Sequence, residues 1–299
     1  MARCLVCQSY ETKAYAKKNN YRYYSCGNCG SIFLFPPPSQ RVTATYYREL
    51  PVPDDSYESS RIRSRAGHVV QVCRALKIDA KRLIDIGCGK GILLNEARLQ
   101  GLETTGIELS RESCEFARKH YALTVLQSNF PSFKTKRLYN QADVVVLSHV
   151  LEHILYPAVF LREAAKCLSR KGLLIIETPN VDSWLNMFEK NNFTFLTPPE
   201  HVCLYSIKSI LVLLNVVDVN VRIVKKETFT EPEHGMGIIK RMLHSDNPTS
   251  NSASGSPQHP AIKNLKTGLF DKWLIKFLVP FFNIGNKGSI LRVYIQKKS

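Results

Sequence analysis

Three groups of residues have the types and spacing to do chemistry. His149, Glu152 and His153 spell H-x-x-E-H inside SHVLEHILYP, residues 148–157. On a single helix, that spacing stacks two imidazoles one turn apart beside a carboxylate, as in one zinc-hydrolase signature. Glu200 and His201 form a second carboxylate–imidazole pair in LTPPEHVCLYS (196–206), behind two prolines that stiffen the approach. An imidazole is well suited to taking a proton near neutral pH. Cys4, Cys7, Cys26 and Cys29 form C-x2-C…C-x2-C, with 18 residues between the pairs. Two such knuckles bring four thiolates to the corners of a tetrahedron. Zinc is the expected metal, because nothing else in the chain points to electron transfer, although iron fits the same spacing. A site closed by four thiolates has no open position, so its expected role is structural.

A fourth feature is a glycine-rich turn, LIDIGCGKGILL (83–94), with Asp85, Gly87, Cys88, Gly89 and Gly91. Glycines there permit a tight turn and the close approach of a ligand, so a side chain at Gly87 is expected to occupy ligand space. About 20 residues on, Glu108 ends the next apolar segment, where an acid can accept bonds from ribose hydroxyls. The plainer role for Glu108 is to start a helix together with Ser110.

The elements that must position these groups can be read from periodicity. RLIDIG, LETTGIEL, LTVLQ, ADVVVLS, GLLIIETP and VNVRIVKKE read as strands. ILLNEARLQ, RESCEFARKHY, PAVFLREAAKCL and SIKSILVLLNVV read as the helices between them. Such alternation predicts an α/β fold around a parallel sheet. His149 then falls on the turn after a buried strand, at the edge where open α/β sheets bind ligands. Pro157 leaves little room for a helix holding both His149 and His153, and no third ligand is evident, which argues against a zinc hydrolase.

The chain divides into 1–38, a zinc ribbon ending at Pro36-Pro37-Pro38; 39–80, a helical linker or cap with ESSRIRSRAGHVVQVCRALKI its clearest helix; and 81–299, the α/β domain. The last contains an insertion at about 230–288 before a final strand, SILRVYIQKK. Within the insertion, SDNPTSNSASGSPQHP (245–260) reads as a mobile loop. LFDKWLIKFLVPFFNIG (269–285) is apolar enough for a substrate lid, a dimer helix, an interfacial membrane helix or a core helix over the site.

The 299 residues carry a formal net charge of +16. Such a surface attracts nucleic acid, anionic lipid or phosphorylated substrates, but the basic residues are scattered. Arg61, Arg63 and Arg65 form the best basic stripe, and it is short. No apolar run of about 20 residues is present, which argues against a spanning helix. MARCLVCQSY lacks the apolar core of a secretory signal, and nine cysteines without one imply a reducing, cytoplasmic setting. Cys73, Cys88, Cys114, Cys167 and Cys203 are isolated and read as small core or pocket residues.

With these residues in view, a resemblance becomes specific. IDIGCGKG, GIELS, DVVVLSHVLEHILYP and LLIIETPN resemble the motifs of class I S-adenosylmethionine-dependent methyltransferases over roughly residues 80–225. The resemblance implies a Rossmann-like seven-stranded sheet ending in an antiparallel pair. It implies that Asp85 and the turn of Gly87, Cys88, Gly89 and Gly91 hold the methionine part of the cofactor. Glu108 would bind ribose, and Asn129, where many relatives carry Asp, would contact adenine. His149 would lend its backbone to the adenosine pocket, and Glu152 and His153 would face the methyl group or brace a helix N-terminus. The N-terminal pattern ending CGNCGSIFLFPPPS is similar to bacterial methyltransferases acting on sugars, polysaccharide precursors or natural products. EHVCLYS resembles a Glu-His pair that some sugar methyltransferases carry, although those enzymes are longer and many differ in the glycine motif.

The expected function is methyl transfer from S-adenosylmethionine to oxygen or carbon of a small hydroxylated or sugar-like acceptor, with His201 or His153 as base and Glu200 alongside. His201 capping the following helix is the structural alternative. An RNA methyltransferase and a cofactor-binding module without chemistry are the other functional readings. The partner expected is a small-molecule acceptor, such as a sugar or glycolipid precursor, with nucleic acid and peripheral membrane contact through 269–285 as alternatives.

Overall fold

The computed structural model describes residues 1–39, 42, 67–76, 79–217, 219–231, 234–235 and 279–298. Two sheets organise it. Three N-terminal strands, β1 (Thr12–Lys18), β2 (Tyr21–Cys26) and β3 (Ile32–Leu34), form an antiparallel ribbon. Asn19, in the turn between β1 and β2, takes a positive φ of 54°, a conformation Asn tolerates better than most residues.

The large sheet has the order β10-β11-β8-β7-β4-β5-β6. Its members are β4 (Arg82–Ile86), β5 (Glu103–Glu108), β6 (Thr124–Gln127), β7 (Ala142–Ser148), β8 (Leu168–Pro179), β10 (Val221–Phe229) and β11 (Ile290–Lys297). The strands β4 to β8 run parallel, and β11 lies antiparallel between β8 and β10. The order reverses at β4, which has β5 on one side and β7 on the other. The crevice beyond the carboxyl end of such a switch point is where doubly wound sheets take ligands.

Both faces of the sheet are covered, so its central strands are continuous apolar runs. On one face Ile84, Ile86, Val145, Leu147, Leu174 and Ile176 join a core. It is built with α3 (Pro157–Cys167) and α5 (Ile207–Val217). On the other face Leu83, Val144, Val146, Leu173 and Ile175 pack with α1 (Ile92–Leu99), α2 (Arg111–Tyr121) and a helical stretch over 67–75. The strand period of two sends successive side chains to opposite cores.

All of the strands and helices expected over 81–229, and the final strand, are present. One join was not signalled by the sequence pattern. The two-residue strand β9 (Cys203–Leu204) leaves the large domain and pairs with β3, so the ribbon sheet reads β1-β2-β3-β9. Ribbon residues Val6, Tyr23, Ile32 and Phe33 share one core with Phe193, Leu196 and Val202. The short helix α4 (Trp184–Glu189), capped by Ser183, was also unexpected. The stripe Arg61, Arg63, Arg65, the stretch 245–260 and the apolar segment up to residue 278 lie outside the described residues; 279–286 is a kinked 3-10 helix. Among the described residues, no helix is long and apolar enough to cross a membrane.

Candidate active site

The glycine turn follows β4 and wraps over β5. The amides of Gly87 and Cys88 both donate to the Ile107 carbonyl, at 2.8 and 3.2 Å. Gly87, Gly89 and Gly91 all have positive φ, at 78°, 51° and 77°. The three glycines do different work. A Cβ on Gly91 would strike Leu123 and Ala117, so this glycine lets α1 pack closely. A Cβ on Gly87 would lie 2.5 Å from Val150 Cγ2. Gly87 therefore makes room for the segment after β7. Gly89 is the position where an added Cβ meets nothing within 4 Å. The cradle a ligand would fill is therefore at Gly89. Cys88 points inward, its sulfur close against Gly106 of β5, so only its backbone can serve a ligand.

Asp85 is buried, and its Oδ1 has no hydrogen-bond partner. Burial, then the nearby charges of Glu108 and Glu177, push its carboxyl up to about 7. An orphaned buried carboxylate oxygen at a switch point fits a ligand ammonium, which would satisfy it and favour its charged form. Glu108 Oε1 accepts from the amides of Leu109 and Ser110, and Oε2 from Gly89, all within 2.9 Å. Both readings of Glu108 therefore fit: it starts α2 with Ser110, whose hydroxyl caps Ser113. It also ties that helix start to the glycine turn, and one of a carboxylate's four or so acceptor positions remains for a ribose hydroxyl. Asn129 is exposed just after β6.

The segment after β7 does not form one helix. His149 sits in the left-handed region (φ 53°), and a 3-10 turn, Leu151–His153, follows. His149 and His153 are thus not stacked on a helix, and the metalloprotease geometry is absent. The His149 amide donates to the Glu177 carbonyl at 2.9 Å, at the sheet edge. Its Nδ1 donates to Glu152 Oε1 at 3.1 Å.

Glu152 is fully buried, and Thr178 Oγ1 donates to its second oxygen at 3.0 Å. Burial alone would raise its carboxyl, but the His149 bond and the surrounding imidazoles outweigh it and hold the group at about 2. Glu152 is therefore a buried anion beneath the histidines. His201 is buried, and its Nδ1 lies 2.7 Å from the Phe195 carbonyl oxygen. A carbonyl has no proton to give, so Nδ1 carries it and Nε2 presents its lone pair. Burial first, then His153, draw the imidazole down to about 4, so it is neutral at neutral pH. By the same reasoning His153 donates from Nδ1 to the Glu200 carbonyl at 3.2 Å. The two rings meet edge to face, 4.8 Å apart. Ligand-type atoms of Glu152, His153 and His201 all fall within 4.8 Å of one another. The two carboxylate–imidazole groups of the sequence are thus one cluster. His201 does not cap α5; Ser206 does, accepting from the Ser209 amide at 3.1 Å.

Two partners escaped sequence reasoning. Glu177, buried in β8, is bonded by Arg292 of β11 at 2.7 Å. An acid inside the apolar run GLLIIETP is the signal that could have found it. Tyr23, in the ribbon, donates to the His201 carbonyl at 2.9 Å, and nothing in the sequence marks it.

The four ribbon cysteines come together as their spacing implies, with all four sulfurs within 4.8 Å of one another. Cys4 and Cys29 are 3.6 Å apart, and Cys7 and Cys26 are 3.5 Å apart. Tetrahedral bonds of about 2.3 Å put sulfurs about 3.8 Å apart, so the set fits a thiolate-bound metal. Contact with Cys29 is the main reason that the Cys4 thiol is held well below its ordinary value, toward the thiolate a metal needs.

The glycine turn, the orphaned Asp85 and the switch-point sheet invite comparison with known proteins. The family model described as a methyltransferase domain matches residues 57–222. The chain belongs to this family. As a member of it, the chain is 32% identical to the ubiquinone biosynthesis O-methyltransferase of Idiomarina loihiensis over 111 residues, 35% of this chain and 46% of that protein. It is 34% identical to the protein of that name from Caulobacter over 103 residues, 33% of this chain and 41% of the other. These matches span less than half the length of those relatives. Among solved structures, a SAM-dependent methyltransferase from Archaeoglobus fulgidus aligns with TM-score 0.50 and 16% identity, covering 80% of this chain and 94% of that one. The plantazolicin methyltransferase BamL, solved with a desmethylPZN analog and SAH, aligns with TM-score 0.50 and 14% identity, covering 88% and 92%. At such identities the likeness is one of fold.

Proposed function

We propose that this methyltransferase-family chain transfers a methyl group from S-adenosylmethionine to the oxygen of a small hydroxylated or sugar-like acceptor. The observation that carries the reading is the partnerless Oδ1 of Asp85, buried beneath the open cradle at Gly89. The group that would fill that cradle supplies an electrophilic methyl carbon when bound. Asp85 would accept its ammonium, Glu108 a ribose hydroxyl, and the backbone of 87–91 would line its methionine end, with Asn129 nearer the base. Oxygen is favoured as the methylated atom by the curated relatives named as O-methyltransferases.

On the acceptor side, His201 Nε2 would take the hydroxyl proton, while the donor's sulfur–methyl bond breaks as the oxygen–carbon bond forms, leaving S-adenosylhomocysteine. The imidazole is unprotonated across the neutral range and needs no prior proton loss. The Glu152 anion offsets the charge that the ring then gains. His153, less buried and in edge contact with His201, stands where it can share that proton; Glu200 holds His153 through its carbonyl. The four cysteines would hold one zinc, with a structural role.

Calorimetry with S-adenosylhomocysteine tests the first half, and labelled S-adenosylmethionine with fractionated lysate, read by mass spectrometry, tests the second. Micromolar binding and a labelled product that releases methanol from an ether are expected. No binding by the unmodified chain would remove the enzyme reading, and a product methylated on nitrogen would remove the hydroxyl acceptor.

A further inference from the structure

The strip 201–206 carries the histidine of the acceptor side, and its 201–204 end is bonded along one side to the ribbon. The His201 carbonyl accepts from Tyr23, and the Val202 carbonyl accepts from the Leu34 amide at 3.0 Å. Cys203 and Leu204 pair with Phe33 and Ile32 as β9. Ser206 Oγ, which caps α5, also reaches the Cys29 carbonyl at 3.4 Å. On its other side, the same strip holds the H-x-x-E-H turn: the Val202 amide donates to the Glu152 carbonyl at 2.8 Å, and the Tyr205 hydroxyl donates to the Leu151 carbonyl at 3.2 Å. The ribbon, the strip and the turn form one stack.

The ribbon strands that grip the strip are short and are held by their cysteines. Cys26 ends β2, and Cys29 lies just before β3. The Cys26 amide bonds the Ser31 carbonyl and the Gly30 amide bonds the Cys26 carbonyl, closing the knuckle that sets β3 in register. Tyr23, opposite Leu34 in that pairing, is fully buried. Its hydroxyl is a donor in an apolar setting, where burial keeps the phenol neutral. A buried hydroxyl bonded to one carbonyl is a directional restraint, costly to leave unmade. Three to four residues of ribbon strand thus restrain the backbone that carries His201, while the Phe195 carbonyl holds the ring, and the ribbon contributes no side chain to the histidine cluster.

We propose that the metal-loaded ribbon is the mount of the acceptor-side histidine, and that Tyr23 is the positioning residue that links the two. This rests on the reading of His201 as the acceptor-side base. It follows that metal occupancy controls the geometry of proton transfer while leaving the cofactor side untouched. The glycine turn, Asp85 and Glu108 are held by β4, β5 and α2, none of which belongs to the ribbon sheet.

The test uses the full chain labelled with nitrogen-15 histidine, loaded with zinc, and compares it with Tyr23→Phe and with the chain after a strong chelator. Tyr23→Phe is expected to keep its zinc and to bind S-adenosylhomocysteine within about twofold of the parent. Its amide exchange over 201–206 should quicken by about tenfold or more, a local opening rather than a global one. The His201 ring resonances should shift, and their titration should move up from its low value as water reaches the ring. Chelation should produce the same changes, larger, and zinc should reverse them. The proposal is overturned if Tyr23→Phe leaves the His201 resonances and the exchange of 201–206 unchanged, whatever chelation does. If chelation unfolds the entire chain, Tyr23→Phe alone decides. Failure of the parent chain to bind S-adenosylhomocysteine would strike the methyltransferase reading instead, and would leave the exchange result standing.

Discussion

The proposed cofactor side and the proposed acceptor side of the site are built on opposite plans. On the cofactor side, positions 85–91 and 108 come from two adjacent strands, and most of the bonding is by backbone amides. On the acceptor side, the cluster joins 149–153 with 195–201 and depends on the ribbon at 23–34. One is a local motif whose shape follows from glycine positions. The other exists only when three distant segments meet. The difference teaches that the glycine cradle rests on one local motif, whereas the histidine cluster rests on contacts made from a long way off.

Four experiments break or sharpen that contrast. Cys26→Ser should have the largest effect. Metal binding of this kind is coupled to folding, so the variant should lose its metal, about one zinc per chain, and the protection of residues 1–38 with it. Elemental analysis and hydrogen exchange check this. Retained S-adenosylhomocysteine binding in the same variant would sharpen the contrast, and its loss would break it.

His201→Ala should lower turnover by about 10²–10⁴-fold, the usual worth of a general base, with cofactor affinity within about twofold. Unchanged turnover on an identified acceptor would remove His201 from the reaction. With the parent chain, turnover should show no loss from His201 protonation until the pH approaches about 4, where that ring titrates.

Asp85→Asn should weaken S-adenosylhomocysteine by about 10- to 100-fold, the worth of a hydrogen bond to a charged group. The sign of the pH effect follows from its raised value. The folded chain holds a proton on Asp85 up to about 7, against 3.8 for an ordinary aspartate. Its ionisation therefore destabilises the ligand-free fold as pH rises from about 4 to 7, and stability is regained as pH falls through that window. Ligand ammonium needs the ionised form, so affinity should fall by up to about tenfold per unit below pH 7. Calorimetry across pH 5.5–8 reads this, and Asp85→Asn should flatten it.

The smallest effects separate two glycines. Gly87→Ala should cost about 1–2 kcal/mol in stability from its positive φ, and more from Val150; Val150→Ala should recover the second part. Gly89→Ala should carry only the first cost, yet weaken the ligand more, because its Cβ enters the open cradle. Thermal melts with and without S-adenosylhomocysteine distinguish them, and equal ligand shifts in both would place the cradle elsewhere.

The sequence by itself determined the α/β sheet, the order of its elements from β4 to β10, the glycine turn with Asp85 and Glu108, and the four-cysteine knuckles. These follow from short-range rules: alternating apolar runs, glycines where φ must be positive, and paired cysteines two residues apart. The tertiary structure alone decided that Gly87 faces Val150 and Gly89 faces open space, because that depends on Val150 arriving from another strand. It decided that His149 spends its amide on Glu177, since strand register is not written in either segment. It decided that H-x-x-E-H and the Glu-His pair come together, with Glu152 the buried anion beneath them. It also decided that a ribbon tyrosine restrains His201 across 178 residues of chain. Contacts of such separation leave no period in a sequence, because they are fixed by how finished elements pack, not by how each one forms.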